Sequence, residues 1–230
     1  DLQLQWVWAM AEGTNQVAPV VHNGVIFMNN PTNIVQAIDA KTGDLIWENR
    51  IGQTATGNSQ RGLALWNDKV YVTTSEAHIY ALDARTGKNV WDTVIGDRTN
   101  GTYTTSSGPI IYKGKVIQGL GGGLCDQYRE EKCFISAYDA ETGKEVWRAL
   151  SAKEPGYAPP MIHEFGGRRQ LILWHPEGVN ALDPATGRVL WTYPTAPIRF
   201  GMTIPSPRKS GDHLFLTSFY NGSLMLRVGA

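Results

Sequence analysis

One stretch, Ala37-Ile38-Asp39-Ala40-Lys41-Thr42-Gly43-Asp44-Leu45-Ile46-Trp47, occurs in four versions in this chain of 230 residues. The other three copies are Ala81–Trp91, Ala137–Trp147 and Ala181–Trp191, and all four share the pattern A-x-D-x-x-T-G-x-x-x-W. The Asp residues of successive copies lie 44, 56 and 44 positions apart. Self-similarity at such a period is typical of a repeat protein and decides how the rest of the chain is interpreted.

The shared positions predict a tight turn between two antiparallel strands. The Asp carboxylate can accept hydrogen bonds from backbone N–H groups of the turn, and Gly supplies the positive φ that closes it. The tryptophan follows on an alternating strand and is too large to bury within one small sheet. We therefore expect the motif tryptophans to be structural and to lie between neighbouring sheets: Trp47, Trp91, Trp147 and Trp191.

Ahead of each motif, two short apolar runs flank a polar turn such as Asn23-Gly24, which is a strong hairpin signal. Each repeat thus supplies about four short antiparallel strands, the unit of a β-propeller blade. The sequence predicts one all-β propeller domain over residues 1–230, with almost no helix. Its full repeats cover about residues 18–51, 61–96, 107–150 and 158–193, and a partial repeat covers 200–230.

An additional strand, Leu4–Met10, is expected before the first repeat. Two arrangements stay open: a small ring of about five blades closed by the two termini, or part of a larger, eight-bladed ring, which is the preferred interpretation. The start at Asp1 is interpreted as a processed or truncated terminus, since no signal peptide precedes it.

Charge and hydropathy exclude some partners. Lys plus Arg and Asp plus Glu both number 21, so a nucleic-acid surface or a polybasic membrane patch is not expected. No run of 18 apolar residues is present, so no transmembrane segment is predicted. The five histidines lie in different repeats without metal-ligand spacing, and no metal site is assigned to them.

The third repeat is longer than its neighbours, and the excess falls between Gly119 and Cys133. An insertion in one repeat maps to a loop on one face, often the binding face. The chain's only cysteines, Cys125 and Cys133, lie in this loop. We expect a local disulfide rather than two free thiols, which indicates a compartment outside the reducing cytosol.

The repeat resembles the tryptophan-docking repeat of the pyrroloquinoline quinone (PQQ) dehydrogenases, a family of β-propeller quinoproteins. The same repeat occurs in relatives without the cofactor, including the outer-membrane barrel-assembly lipoprotein. The resemblance covers nearly the whole chain and is specific for the fold but not for catalysis. It implies an oxidoreductase of the periplasm or another extracytoplasmic bacterial compartment.

Several residues match positions that contact the cofactor in the family. Gln16-Val17-Ala18-Pro19 is similar to an E-G-x-P turn, Arg61-Gly62 to an R-G pair, and Ser106-Ser107-Gly108-Pro109 to T-x-A-P. PQQ carries three carboxylates, for which an Arg offers a bidentate fork and hydroxyls offer donors. The resemblance therefore implies a set of cofactor-binding residues: Gln16, Arg61, Ser106, Gly121, Gly122 and Gly123.

The calcium site of the family is not reproduced. Leu124 stands where the family has a calcium-binding Glu, which leaves Asp126 as a weak metal candidate. The family's adjacent cysteine pair would fall at Ala55-Thr56, and no catalytic base can be assigned.

Two functions follow. The first is a quinoprotein dehydrogenase-like propeller that oxidises an alcohol or sugar with PQQ, carrying only part of the catalytic machinery. The second is a non-catalytic PQQ-like repeat scaffold that mediates protein–protein interaction in the cell envelope.

Overall fold

The computed structural model describes residues 1–53, 60–99, 103–121, 133–196, 198 and 201–229. Within them the chain forms five sheets of three or four antiparallel strands, as expected for propeller blades. Helical structure in these ranges is limited to a short 3-10 turn, Pro31–Asn33, and to Gly201. The all-β, propeller-type fold class is therefore confirmed.

The strands follow one another in space in their order along the chain. The first sheet contains β1 (Val20–His22), β2 (Val25–Asn30), β3 (Ile34–Asp39) and β4 (Leu45–Arg50). The second contains β5 (Leu63–Trp66), β6 (Lys69–Thr74), β7 (His78–Asp83) and β8 (Asn89–Val94). The third contains β9 (Ile110–Tyr112), β10 (Lys115–Leu120), β11 (Cys133–Asp139) and β12 (Glu145–Ala152). The fourth contains β13 (Met161–Phe165), β14 (Arg168–His175), β15 (Gly178–Leu182) and β16 (Val189–Pro194). The fifth contains β17 (Arg208–Ser210), β18 (His213–Ser218) and β19 (Gly222–Arg227).

The chain divides into two compact units. Unit 1 comprises Asp1–Arg98, Tyr103–Gly119 and Tyr138–Lys144, and unit 2 comprises Thr99–Thr102, Leu120–Ala137 and Glu145–Ala230. One core cluster of unit 1 packs the first and second sheets together, with Phe27, Trp47 and Val72 among its buried residues. One core cluster of unit 2 packs the fourth and fifth sheets together, with Ile172 and Leu214 among its buried residues.

The Asp of the repeat forms the turn predicted from the motif. In the first copy Asp39 Oδ1 accepts hydrogen bonds from the backbone N–H groups of Lys41 and Thr42, at 2.8 and 2.9 Å. Gly43 follows with φ +80°, which a residue with a side chain adopts only under strain. These hydrogen bonds, that of Thr42 first, hold the pKa of Asp39 below its ordinary value. The recurring Asp is thus a structural residue.

Each motif tryptophan of the first three sheets docks on the turn of the next copy. The indole Nε1 of Trp47 donates to Ala84 O at 2.9 Å, and the ring covers Gly87 so closely that a Cβ there would overlap it. Trp91 repeats the contact on Ala140 O at 3.1 Å, and Trp147 repeats it on Pro184 O at 3.3 Å. The expected position of these rings between sheets is confirmed.

Trp191 departs from this pattern. It packs against the core cluster of the fourth and fifth sheets, but its Nε1 donates to Gln170 Oε1, at 2.7 Å, within its own sheet. In the fifth sheet, Arg227 faces His213 as Asp39 faces Val25 in the first sheet, so an arginine stands at the position of the motif Asp.

The strand expected at Leu4–Met10 is not formed, because no neighbouring strand pairs with these residues. The segment is instead attached to the first sheet by two indole N–H groups. Trp6 Nε1 donates to Ala40 O at 3.2 Å, which is the docking contact of the other tryptophans, and Trp8 Nε1 donates to Gln36 Oε1 at 3.1 Å.

Candidate functional site

The candidate cofactor residues of unit 1 lie on the short segments that lead into the first strand of each sheet. Three of these segments are joined by backbone hydrogen bonds: Ala18 N donates to Arg61 O at 3.0 Å, and Arg61 N donates to Ser106 O at 2.8 Å. Gly62 and Gly108 bring the second and third segments close, since a Cβ on Gly108 would lie 2.7 Å from the carbonyl carbon of Gly62. The structure therefore brings together residues that are far apart in sequence, with a separation of 45 positions for Arg61 and Ser106.

Arg61 and Ser106 are in direct contact. Arg61 Nη1 donates to Ser106 Oγ at 2.6 Å, with the guanidinium exposed and the serine half-buried. Within the described part of the chain no carboxylate forms an ion pair with Arg61. An unpaired guanidinium beside a hydroxyl fits a ligand carboxylate, because both groups can donate hydrogen bonds to its oxygens.

Gln16 lies two residues before Ala18, whose N–H bonds the Arg61 carbonyl, and the side chain of Gln16 is exposed. Asn15 shapes the turn here, since its Oδ1 accepts a hydrogen bond from Val17 N at 3.0 Å. Gln16 therefore lies on the segment that contacts Arg61, although its side chain forms no described hydrogen bond.

Gly121 belongs to unit 2, where it lies against Pro155. A Cβ at position 121 would come within 2.9 Å of the Pro155 Cβ, so the close packing requires glycine. Gly122 and Gly123, together with the weak calcium candidate Asp126, fall outside the described residues.

The described part of the chain contains no group of three or more His, Cys, Asp or Glu side chains that could hold a metal ion. It also contains no helix with the length and hydropathy needed to span a membrane. The described site thus offers hydrogen-bond donors and one cationic group, the Arg61 guanidinium.

Sequence reasoning missed a buried polar network behind the Ser106 segment. Its members come from the second and third sheets and from the segments before their first strands: Gln60, Thr73, Thr74, Thr105, Ser107 and Gln118. They share no motif and recur at no fixed repeat position, so no sequence signal identified them.

A cavity of about 540 Å³ in unit 2 is lined by Gly166, Asp212, Arg227, Val228 and Gly229. Its acid, Asp212, is bound by Arg227 Nε and by His213 Nδ1, each at 2.7 Å. Because that carboxylate is already paired, the cavity offers no free reactive group, and it contains none of the candidate residues.

With this geometry the chain can be compared with known proteins. The family model described as "Glucose/ethanol/alcohol dehydrogenase, beta-propeller domain" matches residues 1–159. The chain belongs to this family of PQQ dehydrogenase propellers. A second model, "Outer membrane protein assembly factor BamB", matches residues 132–225.

Among curated relatives, the quinohemoprotein alcohol dehydrogenase of Comamonas testosteroni is 32% identical over 240 aligned residues, covering 95% of this chain and 33% of the relative. The chain thus spans about a third of the length of that relative. Among solved structures, a europium-containing methanol dehydrogenase matches with TM-score 0.75 and 20% identity, over 98% of this chain and 51% of the other. BamB from Moraxella catarrhalis matches with TM-score 0.64 and 19% identity, over 92% and 58%. These two similarities concern the fold alone.

Proposed function

We propose that this chain is the part of a PQQ-dependent alcohol or sugar dehydrogenase that holds the carboxylate edge of the cofactor. The observation that carries the proposal is the contact of Arg61 Nη1 with Ser106 Oγ at 2.6 Å, on a guanidinium without a described carboxylate partner. Membership of the PQQ dehydrogenase propellers supports the choice of ligand.

In this proposal each residue binds or orients the ligand. Arg61 forms a charge-assisted pair with one cofactor carboxylate, and Ser106 donates its hydroxyl hydrogen to the same edge. Gln16 contributes an amide from the neighbouring segment. A contribution of Gly121, Gly122 and Gly123 stays a separate prediction that rests on the sequence resemblance. When bound, PQQ supplies the electron-accepting quinone chemistry; calcium bound at Asp126 stays a weaker proposal, and the catalytic base is unassigned.

The experiment is a calorimetric titration of the purified chain with PQQ, with and without Ca²⁺. We expect wild-type protein to bind at micromolar concentration or tighter, and Arg61→Ala to bind about 10- to 100-fold more weakly, because charge-assisted hydrogen bonds contribute about 1.5–3 kcal/mol. Arg85→Ala is the matched control, since Arg85 is an exposed arginine on a motif turn. The absence of binding heat, or equal affinity in Arg61→Ala and wild type, contradicts the proposal.

We also propose the Cys125–Cys133 disulfide and an extracytoplasmic location. Cys133 is 4% exposed and packs against Ala152, and no free cysteine is found among the described residues. A disulfide that closes so short a loop stabilises the folded state by about 2–3 kcal/mol. Alkylation of the unfolded, unreduced protein followed by mass spectrometry tests it: two alkylated thiols would exclude the bond.

The alternative function is a non-catalytic scaffold that binds protein partners in the cell envelope. Its support is the match of residues 132–225 to the BamB model. PQQ-dependent reduction of a dye with an alcohol substrate by the purified protein would exclude this alternative.

A further inference from the structure

The segment Thr105–Ser107 is held by hydrogen bonds at every residue. Thr105 O accepts from Gln60 Nε2 at 2.8 Å, and Thr105 Oγ1 donates to Thr74 O at 2.9 Å. Thr73 Oγ1 lies 3.1 Å from both Ser107 O and Gln60 Oε1 and can donate its single hydrogen to either oxygen. Since Gln60, Thr73 and Thr74 are all at least nine-tenths buried, these contacts are shielded from water and fix the segment rigidly.

Gln118 reaches this segment from β10. The side chain is 1% exposed, and its Nε2 donates to Ser107 Oγ at 2.9 Å and to Gly119 O at 2.8 Å. The bond to the Gly119 carbonyl fixes the amide orientation, because the flipped amide would direct its own oxygen at that carbonyl oxygen. Gln118 Oε1 is buried and has no hydrogen-bond partner in the described structure, which marks the residue as more than a packing element.

The direction of the Gln118–Ser107 bond determines what Ser107 can do. A hydroxyl has one hydrogen to donate, and an oxygen that accepts an amide N–H must direct its own hydrogen elsewhere. No acceptor for the Ser107 hydrogen is found among the described residues, and the side chain is half-buried. Ser106 is in the same situation, because its Oγ accepts from Arg61 Nη1.

We infer that Gln118 is a positioning residue that makes Ser107 a hydrogen-bond donor on the segment that carries Ser106 and contacts Arg61. The three groups then all present hydrogens, and the site selects ligands that carry acceptor oxygens, namely carboxylates. This inference rests on the proposed function, since it adds Gln118 and Ser107 to the residues that determine carboxylate binding.

A double-mutant cycle on PQQ binding tests the inference. Gln118→Met keeps the length and burial of the side chain but removes the N–H, and Ser107→Ala removes the hydroxyl. We expect each single variant to bind PQQ about fivefold more weakly, the effect of one hydrogen bond. In the Ser107→Ala background, Gln118→Met should cause no further loss of affinity, because Gln118 acts through the Ser107 hydroxyl.

Gln170→Met is the control, since Gln170 is a buried glutamine on β14 that bonds Trp191 and belongs to no candidate site. It should lower the melting temperature and leave PQQ affinity unchanged. Losses from Gln118→Met and Ser107→Ala that multiply in the double variant, or wild-type affinity in Gln118→Met, would overturn the inference while the proposed function stands. Failure of the wild type to bind PQQ removes both together.

Discussion

The docking of Trp91 on Gly143 yields the most quantitative prediction. Trp91→Ala removes a half-buried ring that lies against Gly143 and 5.9 Å, between centroids, from the ring of Tyr71. Its hydrogen bond is a smaller loss, because Ala140 O keeps a second donor, the Tyr71 hydroxyl at 3.0 Å. Full truncation of a buried aromatic costs about 3–5 kcal/mol, so we expect about 3 kcal/mol for this partly exposed ring.

The reciprocal substitution, Gly143→Ala, places a Cβ 2.6 Å from the Trp91 ring at a φ of +70°. We expect a loss of about 3 kcal/mol or more in the wild-type background. Once Trp91 is alanine the loss should be smaller, because only the backbone strain of about 1–2 kcal/mol and the close contact with Thr93 Oγ1, at 2.7 Å, remain. Equilibrium urea unfolding followed by circular dichroism gives all four stabilities. Additive losses, or a change below about 0.5 kcal/mol in Trp91→Ala, would refute the docking role.

Two further predictions concern the turns. Gly24 and Gly87 have similar φ values, +75° and +69°, but a Cβ on Gly24 meets nothing within 4 Å whereas one on Gly87 overlaps Trp47. Gly24→Ala should therefore lower the unfolding free energy by about 1 kcal/mol and Gly87→Ala by at least about 3 kcal/mol in the same urea assay; equal losses would contradict the packing argument. The second prediction is a pH dependence, because hydrogen bonds from the side chain and backbone of Thr86 lower the pKa of Asp83 from 3.8. A depressed folded-state pKa adds stability above the unfolded-state value, and that stability is lost as the pH falls through the folded-state pKa. Asp83→Ala should thus be about 1–2 kcal/mol less stable than wild type at pH 7, and this difference should shrink as the pH falls below 3.8; an undiminished difference in acid would oppose a role for the ionised carboxylate.

The motif predicts a contact where both contacting residues belong to a copy of the motif. Trp47 and Gly87 belong to successive copies, so their docking could be inferred from the repeat alone. Trp191 could not be assigned its partner in this way, because Arg227 stands at the position of the motif Asp in the fifth sheet. The strand at Leu4–Met10 failed for a related reason, since a strand needs a neighbour as well as an apolar pattern.

The site was predictable only in part. Arg61 and Ser106 were identified by resemblance, and spacing alone would not have brought together residues so far apart in sequence. Gln118 was missed because its role depends on a single amide orientation inside the fold, which no pattern of residue types encodes. The blade number, the limits of the repeats as one domain and the cofactor roles stay predictions.

The docking contacts also have a polarity. Trp6, Trp47, Trp91 and Trp147 each insert into the turn of the following copy, so each of the first three full repeats carries a receiving turn and a docking tryptophan in the same hairpin. Duplicating one repeat would therefore create a joint that already fits both neighbours, and deleting one would leave two ends that fit each other. Such joints let the number of blades change by recombination between repeats, without redesign of any interface, whereas losing one tryptophan weakens a single joint and leaves the others intact.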